Sequence, residues 1–278
     1  MQTPGKAAGS PQNQQTLVRK EFDGISERYA RRVASCRSRR WKDLAWVPRV
    51  QNANILDVAC GPGTYSIALS RPAAAVVGLD LAESMLRCAW QRCKRPPASN
   101  LALVQGDALH LPFASATFDI YLCAFSFAHF SNPKNVVSEM VRVLHSGGLL
   151  AIVDVVAPEN RRQRDLLNEL ERSRERCYTR IRDAREFARL FAGLPLGCKH
   201  RRTERQPVSF REWVAASGLQ IGSKAFQRAR RFFYEAARQQ SSVAAARLLP
   251  RRRRYHYVIG EFLFCKLAGQ RPPTPQCR

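Results

Sequence analysis

Through the middle of the chain, short apolar runs alternate with longer amphipathic segments. The runs are NILDVA from Asn54, AVVGLD from Ala75, LALVQG from Leu101, FDIYLCAF from Phe118 and GLLAIVDVV from Gly148. Between them, Ala82 to Lys94 and Asn135 to Leu144 are long enough for crossover helices. Apolar strands that alternate with helices predict a doubly wound α/β fold, a mostly parallel sheet with helices on both faces. Upstream, residues 17–46 read as helix, with Leu17, Phe22, Ile25, Tyr29 and Val33 at three-to-four spacing. After Pro158 the pattern turns to an Arg/Glu-rich helix over Glu159 to Arg182, then more helix and a last apolar run, YVIGEFLFCKLA from Tyr257. These shifts predict a disordered N-terminus over 1–16 and one domain over 17–267. That domain divides into a core at 50–158 and a basic cap with the last strands at 159–267. A disordered tail, 268–278, follows. No internal repeat is present.

Charge changes this picture. The 278 residues carry 46 Lys and Arg against 22 Asp and Glu, net +24. Residues 51–158 hold 7 basic and 7 acidic side chains, whereas the segments before and after them are net +7 and +17. A neutral module thus sits between basic flanks, which suit either a solvated surface or an anionic partner such as nucleic acid. The longest nearly apolar run, Gly147 to Pro158, is broken by Asp154 and is too short to span a membrane. The first residues lack the apolar stretch of a secretory signal. Nine cysteines show no CxxC or Cys/His spacing, so they read as reduced thiols of a cytoplasmic protein, and no metal site is expected.

The chemistry concentrates at the ends of the predicted strands. Asp57 closes the first, and the turn after it, Gly61-Pro62-Gly63, lacks the third glycine of a dinucleotide fingerprint. A carboxylate there repels a pyrophosphate and attracts an ammonium. Asp80 ends the second strand, where an acidic residue takes ribose hydroxyls in nucleotide-binding units. Asp107 follows the third, placed to accept from an exocyclic amine. An ammonium, a ribose and an aminopurine along three successive strands describe S-adenosylmethionine.

With these residues in hand, the chain resembles the class I S-adenosylmethionine-dependent methyltransferases, in the group of the ubiquinone/menaquinone-biosynthesis (type 11) enzymes. The resemblance rests on LDVACGPGTYS, VVGLDLAESML, VQGDALHLPFASATFDIYLCAFSFAHF and EMVRVLHSGGLLAIVD, in order between Asn54 and Pro158. EFDGISERYA resembles the group's lead-in helix. The resemblance implies a seven-stranded Rossmann-like sheet. It implies that Asp57, Gly61 and Gly63 hold the methionine end and that Asp80 takes the ribose. Leu81 and Met85 would lie beside the adenine, Asp107 and Ala108 would meet its amine, and Ala124 and Phe125 would offer backbone to the methionyl amine. Tyr29 would close over the cofactor.

Methyl transfer is an in-line displacement for which the enzyme chiefly supplies positioning. Cys123-Ala124-Phe125-Ser126 after the fourth strand is not the Asn/Asp-Pro-Pro-Tyr of amino-group methylating nucleic-acid enzymes, and no acidic residue there starts a catechol-type metal site. The expectation is metal-independent C-, O- or N-methylation of a small-molecule acceptor. His129 is the candidate base, set against a role in packing and orientation, while His200 and His256 have no nameable partner. Where quinone-type relatives carry Asp-Pro-Ser-His, this chain reads RSRERCY from Arg172, which leaves the acceptor open. Two alternatives stand: an RNA methyltransferase using the basic flanks and the run Arg251 to Arg254, and a non-catalytic cofactor-binding regulator. RNA contacts would make log K fall with log salt by about 0.7 per phosphate on single strands. The expected outcome is weak, salt-sensitive RNA binding in a filter-retention titration, with no labelled methyl group entering RNA at any salt.

Overall fold

The computed structural model describes residues 11–35, 44–94, 98–215, 217–240 and 254–268. The sheet contains β1 (Asn54–Val58), β2 (Ala75–Asp80), β3 (Leu101–Gln105), β4 (Phe118–Ala124), β5 (Leu144–Val156), β6 (Leu196–Val208) and β7 (Tyr255–Lys266). The helices are α1 (Pro11–Ser35), α2 (Thr64–Leu69), α3 (Glu83–Cys93), α4 (Pro133–Val143), α5 (Arg161–Arg174), α6 (Ala184–Phe191), α7 (Phe210–Val214) and α8 (Lys224–Gln240). Strand order is β3-β2-β1-β4-β5-β7-β6, parallel from β3 to β5, with β7 antiparallel to both of its neighbours. The order reverses between β1 and β4, so the crevice at their carboxyl ends is where such a sheet takes a ligand.

Both faces of the central strands are covered, which explains why their sequences are apolar throughout rather than alternating. Leu56, Tyr121, Leu150 and Ile152 face one core with Val136, Val137 and Met140 of α4 and Phe187 of α6. Ile55, Ile120, Leu149 and Ala151 face the other with Tyr65 and Leu69 of α2. A third cluster forms the cap, where Leu167 and Leu170 of α5, Trp213 of α7 and Phe233 of α8 pack with Tyr255. No helix among the described residues is long and apolar enough to cross a membrane.

The core strands and crossover helices fall where the pattern puts them, and the flanks do not. Residues 11–16, expected to be unstructured, are the first turns of α1. Gln14 donates to the Cys177 carbonyl there and Gln15 to Asp107, so tertiary partners hold polar residues in a helix. Residues 44–46, expected as the end of that helix, form a short turn, and residues 36–43 lie outside those described. The long helix expected over Glu159 to Arg182 stops at Arg174, and Ile181 then ties back to α5 through the Asn168 side chain at 2.7 Å. The expected tail from 268 lies outside the described residues except for residue 268 itself.

β6 carries Lys199, Arg201, Arg202 and Arg205 on an outer edge of the sheet. Charged side chains there guard an edge against pairing with other chains, and they also hide the strand from a search for apolar runs. Phe187 joins the cap to the sheet, parallel to Phe262 with ring centroids 5.3 Å apart and close to Phe127 at 5.0 Å. Phe187→Ala should cost about 3–5 kcal/mol of stability, read as a lowered denaturant midpoint.

Candidate cofactor and acceptor site

One cavity opens at the carboxyl ends of β1, β2, β3 and β4, roofed by α1. Of the sequence-predicted residues, it brings together Tyr29, Asp57, Gly61, Asp80, Leu81, Met85, Asp107, Ala108, Ala124, Phe125 and His129. Gly63 is not among the lining residues. It precedes α2 in the left-handed region at φ 71°, and a Cβ there would lie 2.9 Å from the Ala89 Cβ of α3. Its role is close helix packing. Gly61 is also left-handed, at φ 54°, but has open space around it and faces the cavity. Two residues with side chains, Ala59 (φ 55°) and Phe125 (φ 57°), hold the same unfavourable region just past β1 and β4. Strain of this kind persists only where the surroundings impose it.

Buried carboxylates impose it here. Asp80 accepts from the N–H of Gly61 at 2.7 Å and of Ala82 at 2.9 Å, tying the glycine turn to the end of β2. Asp57 accepts from the Ser66 hydroxyl at 2.5 Å. Asp154 accepts from the N–H of Ser126 and Phe127, both at 2.9 Å, and so shapes the turn after β4. Burial disfavours their charged forms. It pushes Asp57 up to about 7 against the help of Ser66, and Asp80 and Asp154 up to about 6 against their backbone donors. Asp107 accepts from Leu109 N–H at 3.0 Å and from Gln15 of α1.

His129 stands where core, α1 and cap meet. Its ring packs edge-on against Phe22 at 5.1 Å and Tyr178 at 4.9 Å. Nδ1 lies 3.5 Å from the Cys177 sulfur, and Nε2 lies 3.7 Å from a Glu175 oxygen. Burial, then the nearby Arg174 charge, lowers its pKa to about 4, so the ring is neutral at pH 7. With both nitrogens turned to the cap, the arrangement favours positioning over direct proton abstraction. Among the described residues, His129, Glu175 and Cys177 also form a donor set that could hold a metal, their ligand atoms lying within 4.8 Å of one another. Arg174 already supplies a positive charge there, at 3.0 Å from Glu175. His200 has partners that the sequence does not reveal: it stacks on Trp46 at 5.1 Å and lies 3.4 Å from Glu261.

A second cavity shares Phe22, Tyr29, Val33, Phe125 and His129 with the first and extends under the cap. Its wall contains residues that no local motif marks. Glu171 accepts from Trp213 Nε1 at 3.0 Å and from the Tyr257 hydroxyl, and Arg174 bridges Glu171 at 2.8 Å and Glu175 at 3.0 Å. Glu171 and Glu175, four apart in a charged helical pattern, look like a solvated face in sequence.

Comparison with known proteins follows the same division between core and cap. Residues 56–152 match the family model described as Methyltransferase domain. This core is a class I methyltransferase domain of the type 11 group. The demethylmenaquinone methyltransferase of Listeria welshimeri is 36% identical over 149 residues, covering 51% of this chain and 63% of that protein. Bacillus subtilis YcgJ, named an uncharacterized methyltransferase, is 28% identical over 164 residues, 59% of this chain and 65% of YcgJ. The matched part thus spans under two thirds of each of these relatives. A methyltransferase-like crystal structure from Bacillus halodurans superposes with a TM-score of 0.70 at 25% identity, covering 82% of this chain and 98% of that one. The family match ends at residue 152, before the cap residues that line the second cavity.

The buried carboxylates of the methyltransferase core have a thermodynamic signature. The folded pKa of Asp57 lies above its unfolded value, so the folded state holds that proton more tightly. The contribution is fully present below about pH 4 and is lost as pH rises through about 7. Asp57→Asn should therefore stabilise the unliganded protein by about 2–4 kcal/mol at pH 8 and leave it unchanged near pH 4. Thermal unfolding across that range, variant against wild type, checks this.

Proposed function

We propose that the protein transfers a methyl group from S-adenosylmethionine to a small-molecule acceptor. The observation that carries this reading is the convergence of Asp57, Asp80 and Asp107, from the ends of β1 and β2 and just past β3, on one cavity beside a left-handed glycine turn. In this reading Asp57 and the Gly61 turn face the methionine ammonium, directly or through water. Asp80 takes the ribose hydroxyls with the lone pairs that Gly61 and Ala82 leave free. Leu81 and Met85 pack on the adenine, and Asp107 with Ala108 meets its amine. Ala124 and Phe125 present backbone to the methionine end, and Tyr29 with the rest of α1 closes over the cofactor. Gln15 would release Asp107 as the adenine enters. Gly63 acts through helix packing.

What this chain's residues supply is orientation and water exclusion, the main needs of an in-line displacement. The acceptor enters through the second cavity, whose shared wall with the first brings it up to the cofactor's reactive end. No step in this scheme draws on a metal. The curated relative acts on demethylmenaquinone by its name, but the cap that would select the acceptor lies outside the family match.

The assignment of Asp80 is testable directly. Removing a buried acceptor of two ribose hydrogen bonds costs about 1–3 kcal/mol, so Asp80→Ala should bind S-adenosylmethionine about one to two decades more weakly in calorimetry. Wild-type affinity in a folded variant would sink it. Labelled methyl groups should appear in a small-molecule extract and not in total RNA.

A further inference from the structure

The second cavity carries a charge opposite to that of the protein as a whole. Its wall holds four carboxylates, Asp154, Glu171, Glu175 and Glu212, against two guanidinium groups, Arg32 and Arg174. That is an excess of two negative charges inside a chain of net +24. Asp154, Glu171 and Glu175 are buried to 3%, 1% and 3% exposure. Each already accepts from donors of the protein: Asp154 from backbone N–H groups, Glu171 from Trp213 and Tyr257, and Glu175 from Arg174. The backbone, indole and hydroxyl donors fill lone pairs without cancelling charge, and the one buried guanidinium of this wall, Arg174, is shared between Glu171 at 2.8 Å and Glu175 at 3.0 Å. Arg182, outside the wall, acts on Asp154, and Glu212 is exposed. The three buried carboxylates are therefore only partly compensated, and buried charge in excess calls for a cation.

The rest of the wall says which cation. Phe22, Tyr29, Phe125, Tyr178, Trp213 and Tyr257 all line the same cavity. Aromatic faces combined with carboxylates are the recognition chemistry of ammonium groups. We infer that the methyl acceptor is an amine, an arylalkyl amine whose nitrogen sits among these rings and carboxylates; this rests on the methyl-transfer reading above.

The chemistry closes without a dedicated base. The amine leaves its extra proton to solvent and attacks in neutral form. Its lone pair forms the new nitrogen–carbon bond, and the carbon–sulfur bond breaks with its electron pair passing to sulfur. The positive charge moves from sulfonium to ammonium, so it is kept within the acidic cavity. An aliphatic alcohol, too weak an acid to ionise beforehand, would have to shed a proton during transfer, and His129, with both nitrogens turned to Cys177 and Glu175, is poorly placed to take it.

The test uses the full chain with methyl-labelled S-adenosylmethionine. Phenethylamine, tyramine and tryptamine are set against their shape-matched alcohols 2-phenylethanol, tyrosol and tryptophol. Label should enter the amines alone. Glu171→Gln and Glu175→Gln should each raise the amine KM about ten- to hundredfold, the range for a charge-assisted contact, with calorimetric cofactor affinity unchanged. Should Glu171→Gln fail to fold, Glu175→Gln and direct calorimetry of phenethyltrimethylammonium on the wild type still decide. Label in the alcohols as readily as in the amines, label in neither while the cofactor binds, or an unchanged KM in a folded Glu175→Gln would each overturn the inference alone. Stoichiometric zinc retained by His129, Glu175 and Cys177 and required for turnover would also overturn it, by supplying the missing cation. Absence of any cofactor binding would defeat the underlying methyl-transfer reading instead, and this inference with it.

Discussion

Backbone N–H groups at the carboxyl ends of parallel strands, where the chain leaves the sheet, must find acceptors once they are buried. In this protein carboxylates supply them. Asp80 holds the turns after β1 and β2 together, and Asp154 holds the turn after β4 against β5. These bonds tie down the turns in which Ala59, Gly61 and Phe125 hold left-handed conformations beside the crevice at the strand switch point. The solution has an electrostatic cost, visible as raised pKa values at Asp57, Asp80 and Asp154. The carboxylates that shape the crevice therefore also leave its floor with acceptors that a cation or hydroxyl groups can meet.

The cap repeats this logic with different parts. Arg174 lies between Glu171 and Glu175, and Trp213 and Tyr257 donate to Glu171 from two other elements. A buried guanidinium shared by two carboxylates holds α5 to α7 and β7 while leaving the wall net acidic. The surface arginines of β6, by contrast, stand in solvent, where their charges are screened and contribute little to packing. The overall charge of the chain therefore says little about the charge its cavities present.

α1 connects the two regions. Gln15 reaches Asp107, Asp23 accepts from Ser84 at the start of α3 at 2.6 Å, and Gln14 reaches Cys177 in the cap. Phe22 and Tyr29 lie on the wall common to both cavities. A single helix thus roofs the first cavity and forms one side of the second.

The sequence by itself determined the core. The strands at Asn54, Ala75, Leu101, Phe118 and within Gly148 to Val156 were legible because burial on both faces demands unbroken apolar runs. Asp57, Asp80 and Asp107 were legible as carboxylates at successive strand ends, and Leu81, Met85, Ala108, Ala124 and Phe125 only through the family resemblance; all of them line the cavity. Gly63 was legible as a required glycine, but whether it meets ligand or α3 depends on a 2.9 Å approach between helices that spacing does not reveal. The start of α1 and the edge strand β6 escaped because partners far along the chain, rather than local propensity, hold them in place. Only the tertiary structure decided the wall of the second cavity. Glu171, Arg174 and Glu175 at the end of α5 meet Trp213 of α7 and Tyr257 of β7, and each looks like an ordinary surface or core residue until folding removes water from between them.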